Sequence, residues 1–126
     1  MLNPFKKEII YIRLFENKVE LRHLEKDQNI TRTSHDKFSN ERLLVATVSV
    51  AIKFIKEILF EIKGDQLIKP RLVVLIQPME KVEGGVSEVE KMILRDLIEQ
   101  IGGNYAFIQD TKGKLSDNDI RKITRI

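Results

Sequence analysis

Apolar and polar residues alternate over the first part of the chain. Every second position over residues 10–14 is aliphatic, which is the period of a β-strand with one buried face. Asn17 then lies in a short polar turn, where asparagine is favoured because it tolerates a left-handed backbone. The alternation resumes over residues 19–23. The pattern therefore predicts a β-hairpin over residues 11–26.

A polar stretch over residues 27–42 separates this hairpin from a long apolar segment. It predicts a loop, with room for a short edge strand near Ile30. Residues 43–46 are all apolar, and they fit either a strand or the approach to a helix whose N-cap is Thr47. Beyond Thr47, apolar residues spaced by three and four predict a helix that ends at Gly64. The predicted apolar stripe is Val48, Ala51, Ile52, Ile55, Ile58, Leu59 and Ile62.

The second half of the chain predicts a strand, a helix and a further short strand. Residues 71–78 are largely aliphatic and bounded by prolines, which is typical of a central parallel strand covered by helices. Ser87 and Glu90 have the spacing of a capping box, and two glycines after Ile101 end the helix that follows. Its predicted apolar side is Val89, Met92, Ile93, Leu97 and Ile101. Residues 105–110 predict a further short strand, before a candidate N-cap at Ser116.

The order of these elements predicts an α/β domain. A mixed sheet, antiparallel at the hairpin edge and parallel at its centre, is expected to carry helices on its faces through right-handed crossovers. A chain of 126 residues with 42% apolar and 33% charged residues suits one such domain with a real core. We find no internal repeat and no linker.

Charge and composition narrow the function. The 22 basic and 19 acidic residues are interleaved, so the pattern predicts solvated faces and no nucleic-acid partner. The chain has no cysteine, which excludes disulfides and thiolate metal sites. The apolar run over residues 43–52 is too short to cross a bilayer, and no secretory signal is evident. The expected compartment is the cytoplasm.

Residues 44–108 resemble the first large subdomain of the bacterial actin MreB family. The clearest part is residues 69–108, in which a strand ends in proline, an x-Val-Glu helix start follows Ser87, and a glycine turn precedes a short aliphatic strand. The Lys-rich leader and first strand over residues 1–15 are also similar to the start of that family. The resemblance implies a ribonuclease-H-like half of an actin-type ATPase, one of two halves that hold a nucleotide between them. Proteins of this family polymerise into filaments that organise the bacterial cell wall.

The sequence departs from this family where phosphate would bind. The family's first strand carries Asp-Leu-Gly, and the matching residues here are Arg13, Leu14 and Phe15. A phenyl ring fills the space that glycine leaves, and an arginine does not bind Mg²⁺, which takes oxygen ligands. An arginine can pair directly with an anion, or it can be a surface or structural residue. We therefore expect a degenerate site and no cofactor.

Two further features concern the rest of the family's site. The second phosphate loop and the adenosine-binding half would follow residue 126, so residues 1–126 are expected to be a single truncated actin-like domain. Glu90 matches a family glutamate that orients the attacking water, but it also stands three residues after Ser87. A capping partner for the helix start is the simpler interpretation of Glu90.

Three other local patterns resemble functional sites but favour structural or surface interpretations. Adjacent Ser34, His35 and Asp36 side chains point in different directions and cannot form a nucleophile–base chain. The glycine-rich residues 83–85 lack the lysine and hydroxyl of a phosphate loop, which favours a simple turn. His23 and His35 have no companion ligands for zinc.

Our first hypothesis is a non-catalytic domain that works by protein contact or self-association on a cell-shape or envelope scaffold. The unpaired hairpin edge and the stripe of Tyr11, Arg13 and Phe15 are the expected contact residues. Weak membrane contact at the inner face is predicted for the N-terminal leader, through Leu2, Phe5, Lys6 and Lys7.

Two alternatives stay open. The first is a ribonuclease-H-like enzyme or nucleotide switch with an atypical phosphate site. Its candidate carboxylates are Glu16, Glu20, Glu80 and Asp110. The second is a small adaptor unrelated to actin that shares only the alternating pattern.

Overall fold

The computed structural model describes residues 6–64, 69–111 and 113–125. Within these ranges the chain forms five strands and three helices. In chain order they are β1 (Lys7–Phe15), β2 (Lys18–His23), β3 (Gln28–Thr33), α1 (Val48–Lys63), β4 (Arg71–Pro78), α2 (Glu88–Gln100), β5 (Tyr105–Ile108) and α3 (Asp117–Ile123). Leu2 and Phe5, two of the residues predicted to contact a membrane, lie outside the described residues.

The five strands form one mixed sheet in the order β3-β2-β1-β4-β5. β1, β2 and β3 are antiparallel neighbours, whereas β4 is parallel to β1 and β5 is parallel to β4. The predicted mixed sheet is therefore confirmed. β4 is buried at every position after Arg71, as expected for a central strand with both faces covered.

Each face of the sheet has its own cover. On one face, α1 and α2 pack over the even-numbered aliphatic residues of β1, and the largest buried cluster lies there, with Ile12, Leu14, Ile55 and Leu97 among its members. On the other face, a smaller cluster is completed by α3. Its buried residues are Tyr11, Leu24, Leu75 and Ile120. None of the helices in the described ranges is long and apolar enough to cross a bilayer.

The hairpin turn is built as predicted, and it also anchors the following connection. Asn17 has a left-handed backbone, with φ of 52°. Its side-chain oxygen accepts hydrogen bonds from the backbone N–H groups of Phe38 (2.9 Å) and Ser39 (2.8 Å). Since the Phe38 side chain is fully buried, one asparagine fixes both the turn and the long connection from β3 to α1.

The stretch over residues 27–42, predicted as a loop with room for a short edge strand near Ile30, contains that edge strand as β3, six residues long. Only Ile30 in this strand is partly buried, so no alternation of apolar and polar residues marks it. Residues 43–46, one of whose two interpretations was a strand, do not form one, and residues 44–46 are a bend. Thr47 is the N-cap of α1, but its side chain makes no capping hydrogen bond.

The apolar side predicted for α2 is partly wrong. Val89 and Met92 are exposed, whereas Leu94 and Ile98, absent from the prediction, are buried with Leu97. The helix advances by about 100° per residue, so the side that holds Leu94, Leu97 and Ile98 faces the sheet and Val89 and Met92 point to solvent.

Candidate functional site

The corner where β1 turns into β2 holds an aromatic ring that has two cationic side chains over it. The guanidinium carbon of Arg13 lies 5.2 Å from the centroid of the Phe15 ring, and Lys18 Nζ lies 4.3 Å from it. Both distances are within the range of cation–π attraction. The Phe15 ring is thus engaged by two cationic side chains at the end of β1.

The charge of Arg13 is balanced within the hairpin. Arg13 is paired in register with Glu20 across β1 and β2, and its Nη1 forms an ion pair with the Glu20 carboxylate. A hairpin whose turn is Glu16-Asn17 places position 13 opposite position 20, so this partner could have been found from the predicted turn alone. The Arg13 Nε is buried and has no hydrogen-bond partner among the described residues.

Tyr11, predicted as a contact residue for a partner, is instead buried. Its side chain is 2% exposed, because β1 lies between β2 and β4 and the segment before α3 crosses over it. The hydroxyl donates to Gln77 Oε1 and accepts from the backbone N–H of Leu115 at 3.2 Å. Burial raises the pKa of this hydroxyl. Tyr11 is therefore a structural residue and offers no surface to a partner.

Gln77 completes this network from the neighbouring strand. Its Nε2 donates to the backbone carbonyls of Thr111 (2.7 Å) and Gly113 (2.9 Å). One buried amide thus holds the chain segment that covers this face of the sheet, near the end of β4. The polar position in an otherwise aliphatic strand was the signal for this role.

The Glu90 side chain caps the N-terminus of α2. The Ser87 hydroxyl accepts from the Glu90 backbone N–H at 3.1 Å, and a Glu90 carboxylate oxygen accepts from the Ser87 backbone N–H at 3.1 Å. The predicted capping box is confirmed. The side chain also borders a shallow apolar depression, lined by Leu43, Leu44, Val45, Pro78, Val82, Val86, Ile93 and Leu94.

A buried charged cluster, which the sequence did not predict, lies at the opposite end of β1. Glu8 and His23 are 2% and 1% exposed, and the Glu8 carboxylate lies 3.0 Å from His23 Nε2 and is ion-paired with Lys63 of α1. The Lys26 backbone N–H donates to His23 Nδ1 at 3.1 Å, which leaves the ring proton on Nε2, facing Glu8. Burial acts to raise the pKa of Glu8, but the hydrogen bonds from Lys63 and His23 lower it overall.

The remaining predicted features are structural or surface features. The Ser34 hydroxyl donates to the Asp36 backbone carbonyl and His35 is exposed, so these residues form a turn. Gly84 and Gly85 have φ of 80° and 91°, which confirms the glycine turn. Across the described ranges, no group of three or more histidine or acidic side chains is placed to hold a metal ion. Lys7 is the first residue of β1, and its Nζ lies 6.0 Å from the Tyr105 ring.

Comparison with known proteins supports the fold. No family model matches the chain. It is 28% identical over 95 residues to the uncharacterized protein YjaA of Escherichia coli (strain K12), a match that covers 71% of this chain and 73% of YjaA. The structure of the present chain is similar to that of MreB5 of Spiroplasma citri bound to ADP, with a TM-score of 0.56 and 14% identity over 85% of this chain.

This chain spans only 39% of that MreB5 chain. A weaker likeness, with a TM-score of 0.41 and 11% identity, links 83% of this chain to 36% of the PPX-GPPA enzyme of Aquifex aeolicus. The likeness to MreB5, together with the observed strand order, shows that the chain has the mixed α/β sheet of the actin-like ATPase fold. At these identities the likeness to solved structures concerns the fold alone.

Proposed function

We propose that this protein is a non-catalytic, MreB-like domain that acts by contact with other proteins, as part of a cell-shape or envelope scaffold. The observation that supports the proposal is the corner between β1 and β2, where the Phe15 ring lies under Arg13 and Lys18, at the position that the family resemblance assigns to a phosphate-binding glycine. On this proposal, the actin-like fold is kept without a phosphate-binding corner.

Electrostatics support the same proposal. The acidic residue that would serve metal-bound phosphate is replaced by Arg13, and the carboxylate nearest to that arginine, Glu20, is engaged in the ion pair across the hairpin. Glu90, the other family-matched position, is engaged in capping α2. A Mg²⁺ ion favours several free oxygen ligands, whereas the two carboxylates at this corner, Glu20 and Glu16, are ion-paired with Arg13 and Lys81.

Isothermal titration calorimetry with Mg²⁺–ATP and Mg²⁺–ADP tests the proposal. We expect no heat of binding in the micromolar range for the wild-type protein. Micromolar binding that Arg13→Ala or Phe15→Ala weakens would overturn it in favour of a nucleotide switch. The matched control is Arg32→Ala, which removes a half-exposed arginine from the far side of the hairpin sheet.

A membrane role for the leader stays part of this proposal. Burying Leu2 and Phe5 would contribute about 2–3 kcal/mol each at most, which is comparable to a marginal single anchor. Lys6 and Lys7 would add a weak attraction to anionic lipids, although Lys7 also belongs to β1. We place the protein in the cytoplasm, at the inner face of the membrane when this contact forms.

A further inference from the structure

β3 has a free outer edge. It is the last strand on its side of the sheet, and no other strand within the described residues pairs beyond it. Its register with β2 runs unbroken from Thr33 opposite Lys18 to Gln28 opposite His23, so it contains no bulge. It contains no proline, and Arg32 is its one charged residue. Prolines, bulges and charges are the usual devices that keep such an edge from pairing, so a single charge protects this one.

The ladder with β2 determines which backbone groups face outward. The Ser34 N–H donates to the Asn17 carbonyl at 2.8 Å, so residue 34 bonds towards β2. In a strand, successive residues direct their N–H and C=O groups to opposite sides, so Ile30 and Arg32 also bond towards β2. The residues whose backbone groups point away from the sheet are Asn29, Thr31 and Thr33.

We infer that this outer edge pairs antiparallel with the same edge of a second copy of the protein, with Thr31 on the twofold axis. In that register, Asn29 lies opposite Thr33 of the partner subunit, and Thr31 lies opposite Thr31 of the partner subunit. The two sheets then continue as one. The inference rests on the proposed function, because it names the surface and the partner for the protein contact proposed above.

The hydrogen-bond pattern selects this register. Centring the pair on Thr31 satisfies the outward N–H and C=O groups of all three outward residues, whereas a centre at Ile30 leaves Thr33 without a partner inside the strand. A centre at Arg32 would place two guanidinium groups opposite each other, which is unfavourable. With Thr31 at the centre, each Arg32 instead lies opposite Ile30 of the partner subunit, and its methylene stem can cover that side chain.

Arg32 is compatible with the pairing. Its Nη1 donates to the Thr31 carbonyl at 2.9 Å, and its Nη2 lies 3.3 Å from a carboxylate oxygen of Glu61 on α1. A carbonyl oxygen has two lone pairs, so the Thr31 carbonyl can accept a second hydrogen bond from a neighbouring strand. The salt bridge to Glu61 holds the charge on the helix side of the sheet, away from the Thr31 side chain.

Sedimentation velocity over a concentration series of the full chain tests the inference. We expect a monomer–dimer equilibrium in the wild type. Thr31→Pro removes an outward N–H and leaves the bonds to β2 intact, so it should raise the dissociation constant by roughly ten-fold or more. Thr31→Val keeps the backbone groups and strand propensity, and should dimerise like the wild type. Circular dichroism and thermal unfolding verify that both variants are folded.

The register has its own test, since the chain contains no cysteine. Thr31→Cys places two thiols opposite each other at a Cα separation of about 5.5 Å, which a disulfide can span, so oxidation should give a covalent dimer. Asn29→Cys is the matched control, because its two thiols would be about 13 Å apart along the strands. A monomer at every concentration, dimerisation unaffected by Thr31→Pro, or equal cross-linking of both cysteine variants would overturn the inference. Nucleotide binding decides the proposed function separately, so a monomer that binds no nucleotide overturns only the inference.

Discussion

Glu8 carries its charge in a place that water barely reaches. Its side chain is 2% exposed and lies beneath the end of α1. The carboxylate stays ionised because Lys63 and His23 both direct polar hydrogens at it. A buried carboxylate without such partners would be protonated at neutral pH. The sequence gives little sign of this cluster, since Glu8 stands beside two lysines in a leader that looks wholly exposed.

Acid should therefore weaken the protein through Glu8. The folded-state pKa of this carboxyl lies below the usual 4.5, so its contribution to stability is present above pH 4.5 and is lost as the pH falls through the folded-state value. Urea unfolding from pH 7 downwards should show the free energy of unfolding falling below about pH 5. Glu8→Gln should reduce this fall, and it should cost about 1–3 kcal/mol at pH 7 by leaving Lys63 with a weaker partner.

The matched control is Glu88→Gln, whose side chain is almost fully exposed. It should leave both the unfolding free energy and its pH dependence close to those of the wild type. An unchanged acid profile in Glu8→Gln would show that the stabilisation comes from other carboxylates.

At the scale of elements, segments with a strong hydrophobic periodicity were predicted correctly, and segments with a weak periodicity were predicted only in part. β1, β4 and α1 were predictable because each buries a regular set of aliphatic residues. β3 was predicted only as a short edge strand near Ile30 within a loop, because a strand with both faces exposed needs no alternation and is held by its backbone ladder to β2. The burial of α2 was misjudged because its apolar residues fit more than one stripe, and packing against the sheet selects the one with Leu94, Leu97 and Ile98.

The same distinction applies to the candidate site. Arg13 and Phe15 could be placed at the strand end from sequence, because their position depends on the hairpin alone. The burial of Tyr11 could not be predicted in this way. It depends on the contact of a β1 residue with the backbone of Leu115, which is distant along the chain.

The junction of α2 and β5 offers a test of packing between elements. A Cβ atom at Gly103 would lie 2.5 Å from the Ile98 side chain and 2.9 Å from the Ile98 carbonyl oxygen, closer than real Cβ contacts allow. Because one of these atoms is backbone, the helix end itself would have to move. Gly103→Ala should therefore lower the free energy of unfolding by about 1–3 kcal/mol in urea denaturation.

Gly102 is the comparison position for this test. It has open space around its Cα and a φ of 97°, so its requirement is conformational rather than steric. Gly102→Asn, which tolerates positive φ, should cost less than Gly103→Ala. A larger loss for Gly102→Asn would mean that the turn conformation, and not the close approach to Ile98, decides stability here.

At the scale of the whole molecule, the central strands require a cover on both faces of the sheet. α1 and α2 supply one cover, and the segment that leads to α3 supplies the other. The cover that contains α3 buries fewer apolar residues than the other one, and a few defined contacts hold it on the sheet. Ile120 is fully buried against the sheet, and Asp117 accepts two hydrogen bonds of 2.8 Å from Arg22 of β2. These contacts lower the pKa of the Asp117 carboxyl.

We expect the hydrogen bonds of the Tyr11 hydroxyl to hold the segment before α3 on this second face of the sheet. Tyr11→Phe keeps the ring in the small core but leaves Gln77 Oε1 and the Leu115 N–H without their partner. Leaving buried polar groups unpaired costs about 1–3 kcal/mol, so the free energy of unfolding should fall by that amount. Hydrogen exchange should also become faster at the Leu115 amide, while the amides of β1 and β4 stay protected by their parallel ladder.

Tyr105→Phe is the control for this prediction, because the Tyr105 hydroxyl is engaged only by an exposed contact of 3.3 Å from Arg71 among the hydrogen bonds of the described residues. It should change the free energy of unfolding by much less than Tyr11→Phe does. If both variants lose the same stability, or if the Leu115 amide exchanges as slowly in Tyr11→Phe as in the wild type, the hydroxyl does not fasten the cover. The apolar contacts of Ile120 would then be what holds the second face closed.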